Sequence, residues 1–222
     1  MLKFNNFIKR KSYRFVWKNS DLEHHSMNED INTNIANRLK QTKAWENHSK
    51  TLDNEHIYHV FGYKNNSDIN YKLHHKERLN PSDIEHIKIL DHVTSHKTEH
   101  PVEVYRGFEP EDYESHKIYE PGHEFTHRGY TSTTFNKKIA AKFSPADSTT
   151  GKPTLFKINL PLGSNAHYVD THKTSEVSYK GVSMINPHPH EQEVLLKRKQ
   201  RFKVTGHSED NNYKYIHINA IN

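Results

Sequence analysis

His188-Pro189-His190-Glu191-Gln192-Glu193-Val194-Leu195-Leu196 sets two carboxylates, two residues apart, at the entry to an apolar run. Side chains alternate between the faces of a β-strand, so the spacing predicts Glu191 and Glu193 on one face and Gln192 and Val194 on the other. Like charges side by side on a strand cost energy unless they face water or serve chemistry. Alone, the stretch reads as an exposed strand end with two solvated acids. Gln192 carries no predicted role. Pro187 and Pro189 predict a loop from about Tyr179 to His190 that is stiff near its end.

Two upstream motifs change that reading. Val102-Glu103-Val104-Tyr105-Arg106-Gly107 alternates like a strand and ends in an aromatic residue, Arg and Gly. Gly129-Tyr130-Thr131-Ser132-Thr133-Thr134-Phe135 reads as a β-branched strand carrying a Ser/Thr cluster. Arg106 alone would be an ordinary salt-bridging arginine, and Gly107 either a turn or a place of close backbone approach. In this order, Arg after an aromatic, aromatic-x-Ser-Thr-Thr, then Glu-x-Glu, the chain resembles the Arg-Ser-Glu class of mono-ADP-ribosyltransferases. The class includes clostridial binary-toxin enzymes, vertebrate arginine-specific ecto-enzymes and small enzymes of T-even-type bacteriophages. The resemblance runs from about Tyr63 to the end of the chain.

The resemblance implies an enzyme that takes NAD as substrate and needs no metal. Breaking the nicotinamide–ribose bond of NAD leaves an oxocarbenium-like cation. The enzyme must therefore anchor the phosphates, orient the ribose and set negative charge beside the cation. By resemblance, Arg106 offers its planar fork of donors to phosphate. Gly107, Tyr130, Thr133 and Phe143 line the NAD site, Ser132 orients the catalytic carboxylate, and Glu193 binds the ribose hydroxyl and stabilises the cation. A glutamate at position 191 goes with arginine as acceptor in this class. The physical reason is that a guanidinium stays protonated and needs a carboxylate to pair with and to take its proton. The implied partners are arginine-containing target proteins of a host cell, such as transcription or translation proteins.

The pattern departs from the class at two places. The middle motif ends in Thr134 where Ser is common, which keeps the hydroxyl. His188 stands where an aromatic often meets the target, three residues before Glu191. It can stack but can also be charged, so the acceptor loop carries His188 and Glu191 as its expected contacts.

The remaining pattern predicts an α+β fold: an N-terminal helical layer, then a split β-sandwich core with a central NAD-binding cleft. Asn80-Pro81-Ser82-Asp83 is a helix start, followed by a stripe of Ile84, Ile87, Leu90 and Val93. Tyr63 with Asp68-Ile69-Asn70-Tyr71-Lys72-Leu73 resembles a segment of the same class, and its helices are expected only to cover the cleft. Asn136–Phe143 reads as a short helix capped by Asn136. Ser144–Pro153 resembles a loop that closes over NAD. Thr154–Leu160, two short strands within Val194–Val204, and Tyr213–Ile221 complete the core.

Composition agrees. The 222 residues suit one domain, divided as a basic arm at 1–20, a mainly helical lobe at 21–100 and a β-rich core at 101–222. No apolar run is long enough for a membrane span, no secretory signal is apparent, and cysteine is absent, so a cytoplasmic location is expected; a monomer is expected as well. The first twenty residues hold Lys3, Lys9, Arg10, Lys11, Arg14 and Lys18 with interleaved aromatics. Such an arm can touch nucleic acid or an acidic partner, or simply be a solvated basic segment. Among the 20 histidines, the pairs His24-His25 and His74-His75 and the run His188-Pro189-His190 lack metal-ligand spacing and are read as surface residues. Two other functions stay open: NAD hydrolysis or modification of a nucleic acid on the same fold, and a non-enzymatic basic binding module.

Overall fold

The computed structural model describes residues 27–65, 68–108, 120–145, 151–172 and 176–221. The basic arm and His24-His25 lie outside the described residues, as does most of the polar segment after Ser144. Four helices come first: α1 Met27–Ser49, α2 Asn54–Asn65, α3 Asp68–His75 and α4 Pro81–Val93. The start of α4 follows the predicted chemistry. Asn80 accepts from the Asp83 N–H at 2.8 Å, Asp83 accepts from the Asn80 N–H at 2.9 Å, and Pro81 takes the first helical position. The stripe needs one correction. A repeat of three falls about 60° short of a full turn at each step. Ile87, Leu90 and Val93 therefore share the buried face, while Ile84 drifts off it and is 56% exposed.

The second half of the chain forms one eight-stranded sheet and a hairpin. The strands are β1 Val102–Gly107, β2 Glu124–His127, β3 Thr131–Thr134, β4 Thr154–Leu160, β5 Ala166–Tyr168, β6 Glu176–Tyr179, β7 Val182–Ile185, β8 Glu193–Leu196, β9 Gln200–Glu209 and β10 Lys214–Ile221. The sheet order is β2-β9-β10-β4-β1-β3-β8-β5, and β6 pairs with β7 alone. Among the described residues, only β10 and β4 run parallel, and every other strand pair is antiparallel. Helix α5, Lys137–Lys142, follows β3 and is capped by the Asn136 side chain. The fold is α+β, as expected. The predicted split has a physical counterpart within the sheet. β1 pairs with β4 along its full length but meets β3 only at Tyr105 and Thr134.

Alternation along β8 decides what faces where. Val194 and Leu196 belong to the core between the sheet and α1, with Trp45, Val104, Phe156 and Ile158. Leu195 belongs to a second core under α2 and α4, with Phe61, Leu90 and Tyr130. Glu193, two residues from Leu195, therefore faces the helical side. Thr134 and Ser132, opposite Glu193 and Leu195, share that face. Trp45 ties α1 to the sheet by donating its indole N–H to the Ala166 carbonyl at 2.9 Å.

His75, His188 and His190 are exposed as expected and His74 is half-buried, while three histidines outside those runs, His127, His167 and His172, are buried. Burial depresses their basicity. His172 is pushed down to about 4 and His127 to about 3, and His167 falls well below the ordinary value of 6.5. Burial also lowers His86 and His217 to about 4. These rings bind fewer protons folded than unfolded. Their contribution to stability is therefore complete above the ordinary 6.5 and lost as pH falls through the folded values. The thermal unfolding midpoint should drop steadily as pH falls from about 6.5 toward 4. A flat midpoint over that window would show that these rings are hydrated in solution.

Candidate active site

The sheet's weak seam opens into a cavity of about 420 Å³, within the range that holds small molecules and nucleotides. β1 contributes Tyr105, Arg106 and Gly107, β3 contributes Ser132, Thr133 and Thr134, and β8 contributes Glu193. Helices α2 and α3 close one side with Tyr63, Lys64 and Asn70. Helix α5 and the residue after it close another with Ile139, Ala140 and Phe143, and His188 and Glu191 stand at the loop that leads into β8.

Arg106 reaches across the seam and donates from Nη1 to the Ser132 carbonyl at 3.1 Å, standing in for the backbone pairing that β1 and β3 lack there. Gly107 is a site of close approach rather than a turn. A Cβ there would lie 2.5 Å from the Ala140 carbonyl oxygen and 2.6 Å from the carbonyl carbon of Phe143. Only glycine lets the end of α5 seat against β1 beside Arg106.

Glu193 lies on the cavity floor, 6% exposed. Its carboxyl is held above the usual glutamate range. Burial pushes it up, Lys64 and a hydrogen bond from Ser132 pull it down, and Glu191 pushes it up again. Behind Ser132 runs a relay. The Tyr63 hydroxyl meets Ser132 Oγ at 3.2 Å, and Asn70 Nδ2 donates to Tyr63 at 2.7 Å. Asn70 also donates to the Tyr130 carbonyl at 2.9 Å and accepts from its N–H at 2.8 Å, which clamps α3 to the start of β3. A side chain at Gly129 would strike that clamp, since its Cβ would stand 2.5 Å from Asn70 Oδ1. The Tyr63 hydroxyl, pushed up to about 12 by burial, stays neutral.

Glu191 is not on the strand. β8 begins at Glu193, and Gln192 has a left-handed backbone with φ of 50°. The period-two argument therefore fails at the residue it was applied to. A turn, not strand alternation, brings Glu191 to the same cavity as Glu193. Two contacts hold that turn: Thr134 Oγ1 donates to the Glu191 carbonyl at 2.5 Å, and the Gln192 N–H donates to Asp170 at 2.7 Å. The threonine that ends the middle motif thus keeps its hydroxyl in use. Gln192, read as having no role, accepts from Arg38 at 2.9 Å and fixes the turn from outside.

Of the other predicted site residues, Thr133, Phe143 and His188 line the cavity and Tyr130 does not. Tyr130 shares the Ser132 face, but α4 covers that end of β3. Its ring is fully buried, and its hydroxyl bonds to the Ile87 carbonyl and to Asp91. It serves the site only through the backbone that Asn70 grips.

Tyr63 and Asn70, expected only to cover the cleft, line the cavity itself. Lys64 and Asp170 were missed, and nothing in their sequence surroundings marks them. Lys64 Nζ lies 3.3 Å from Glu193, 3.5 Å from Asp170 and 3.9 Å from Glu191. Among the described residues no group of three or more His, Asp or Glu side chains is placed to hold a metal ion. No helix among them is long and apolar enough to cross a membrane.

A family model, ADP-ribosyltransferase exoenzyme, matches residues 33–222. Solved structures share the fold. Plx2a, an ADP-ribosyltransferase toxin from Paenibacillus larvae, aligns with a TM-score of 0.62 and 21% identity, over 85% of this chain and 96% of that one. The C3 exoenzyme of Clostridium limosum gives 0.59 and 18%, over 84% and 94%. C3stau2 from S. aureus, solved with NAD, gives 0.54 and 20%, over 82% and 95%. None of the curated proteins matches significantly in sequence.

Proposed function

Because the chain belongs to the ADP-ribosyltransferase exoenzyme family and so uses NAD as substrate, we propose that it transfers ADP-ribose to arginine side chains of target proteins and releases nicotinamide. The unequal burial of the two acids supports this reading. The Glu193 side chain is 8% exposed on the floor, and that of Glu191 is 28% exposed at the rim, within one cavity. A buried carboxylate suits a cation that forms inside the cleft. A half-open one suits a charged group that arrives from outside.

The residues divide the reaction between them. Arg106 and the closely seated Gly107 backbone hold the NAD phosphates, and Thr133 and Phe143 line the same space. The glycosidic bond breaks with its electron pair leaving on nicotinamide, and the ribose carbon becomes cationic. Glu193, oriented by Ser132, Tyr63 and Asn70, stabilises that cation and its hydroxyl. Glu191 pairs with the incoming guanidinium and takes the proton released when its nitrogen bonds the ribose carbon. His188, exposed beside Glu191, meets the target protein, which we place in a host cell.

The test uses labelled NAD and a cell lysate, with wild type beside Glu193→Ala. Label on discrete protein bands only with wild type, released by neutral hydroxylamine as arginine linkages are, supports the proposal. Free nicotinamide without labelled protein contradicts it in favour of hydrolysis or a non-protein acceptor.

A further inference from the structure

We infer that Lys64 is a positioning residue, the internal counter-ion that keeps Glu193 ionised and holds Glu193 and Glu191 in place. The inference rests on the role proposed above for the two glutamates. Three acids converge on one buried amine. Nζ stands 3.3 Å from Glu193, 3.5 Å from Asp170 and 3.9 Å from Glu191, and the Lys64 side chain is 1% exposed. It also donates to the His188 carbonyl at 2.9 Å, which pins the acceptor loop to α2.

The arrangement answers an electrostatic problem that the site creates. Carboxylates packed together without a cation repel one another, and the buried one takes up a proton from solvent more readily. A protonated Glu193 could not stabilise a ribose cation. The titratable and charged groups around Glu193 are Tyr63 and Lys64 from α2, Arg106 from β1, Asp170 from the 3-10 turn Val169–His172, and Glu191 with His188 from the loop. Tyr63 is neutral, His188 is exposed at the rim, and Arg106 is turned toward the Ser132 carbonyl. Among the described residues, Lys64 is thus the cation within 4 Å of all three acids. It comes from the helical layer, so α2 is part of the catalytic machinery and not a lid alone.

The test follows the Glu193 carboxyl carbon by NMR against pH in glutamate-labelled protein, with the resonance assigned from Glu193→Gln. Lys64→Met should raise its titration midpoint by about one pH unit or more. Lys64→Arg, which keeps the charge, should titrate near wild type. An unchanged midpoint in Lys64→Met overturns the inference. Should Lys64→Met fail to fold, Asp170→Asn decides. It removes a competing anion from the same amine and keeps an acceptor for the Gln192 N–H, so the Glu193 midpoint should fall. A midpoint that stays or rises overturns the inference. The titration needs no NAD, so its failure and a failure of the proposed function are separate results.

Discussion

Glu193→Gln should lower both ADP-ribose transfer and NAD hydrolysis by at least about 10²–10³-fold, the range seen when one preorganised electrostatic group is removed from a transition state. The substitution keeps shape and a hydrogen-bonding oxygen for Ser132 but removes the charge beside the ribose cation. NAD affinity should change little, because Arg106 and Gly107 lie on β1, on the other side of the seam. The fold should survive as well. The carboxyl is held above its ordinary range chiefly by burial, so its ionised form opposes folding at neutral pH. Nicotinamide release by stopped assay, NAD titration by calorimetry and the thermal midpoint check the three parts. A large loss of NAD affinity with turnover of bound NAD unchanged would move Glu193 from chemistry to binding. The same raised carboxyl fixes the sign of the pH dependence. Activity should fall with acidification, and its acid limb should lie above the ordinary glutamate value of 4.5.

Glu191→Gln should separate the two half-reactions. Transfer to a small guanidine such as agmatine should fall by about 10²–10⁴-fold, the usual worth of a general base. NAD hydrolysis should stay within a few-fold of wild type, since water needs no charge partner to enter the site. The geometry supports independence of the two acids. Glu191 sits on a turn held through its backbone by Thr134, so changing its side chain leaves that anchor intact. Equal losses in transfer and hydrolysis would mean that Glu191 acts through Glu193 and not on the acceptor.

The sequence carried the fold because the signals were local. A capping box, a proline at the first helical turn and strands that alternate are each set by neighbouring residues, and α4, α5, β1, β4 and β10 appear where these signals stand. Three parts of the site were not local. Glu191 reaches the cavity through the left-handed backbone at Gln192, which no residue type at that position announces. Tyr130 and Ser132 share a face, but only the tertiary path of α4 decides that one is buried and the other lines the cavity. Lys64 and Asp170 stand 106 positions apart in the numbering and meet at 3.5 Å through packing of α2 on the turn after β5. Ile84 leaves the buried face for the opposite reason: a strict repeat of three drifts around a helix of 3.6 residues per turn.

In the proposed reaction, one cleft cleaves NAD and hands the ribose to a guanidinium. Its most direct test incubates the purified chain with NAD and agmatine and quantifies two products of the same reaction, free nicotinamide and ADP-ribosyl-agmatine. The two should appear in near-equal amounts at saturating agmatine, and neither above background with Glu193→Gln. Nicotinamide without the adduct, or intact NAD after incubation with wild type, would contradict it.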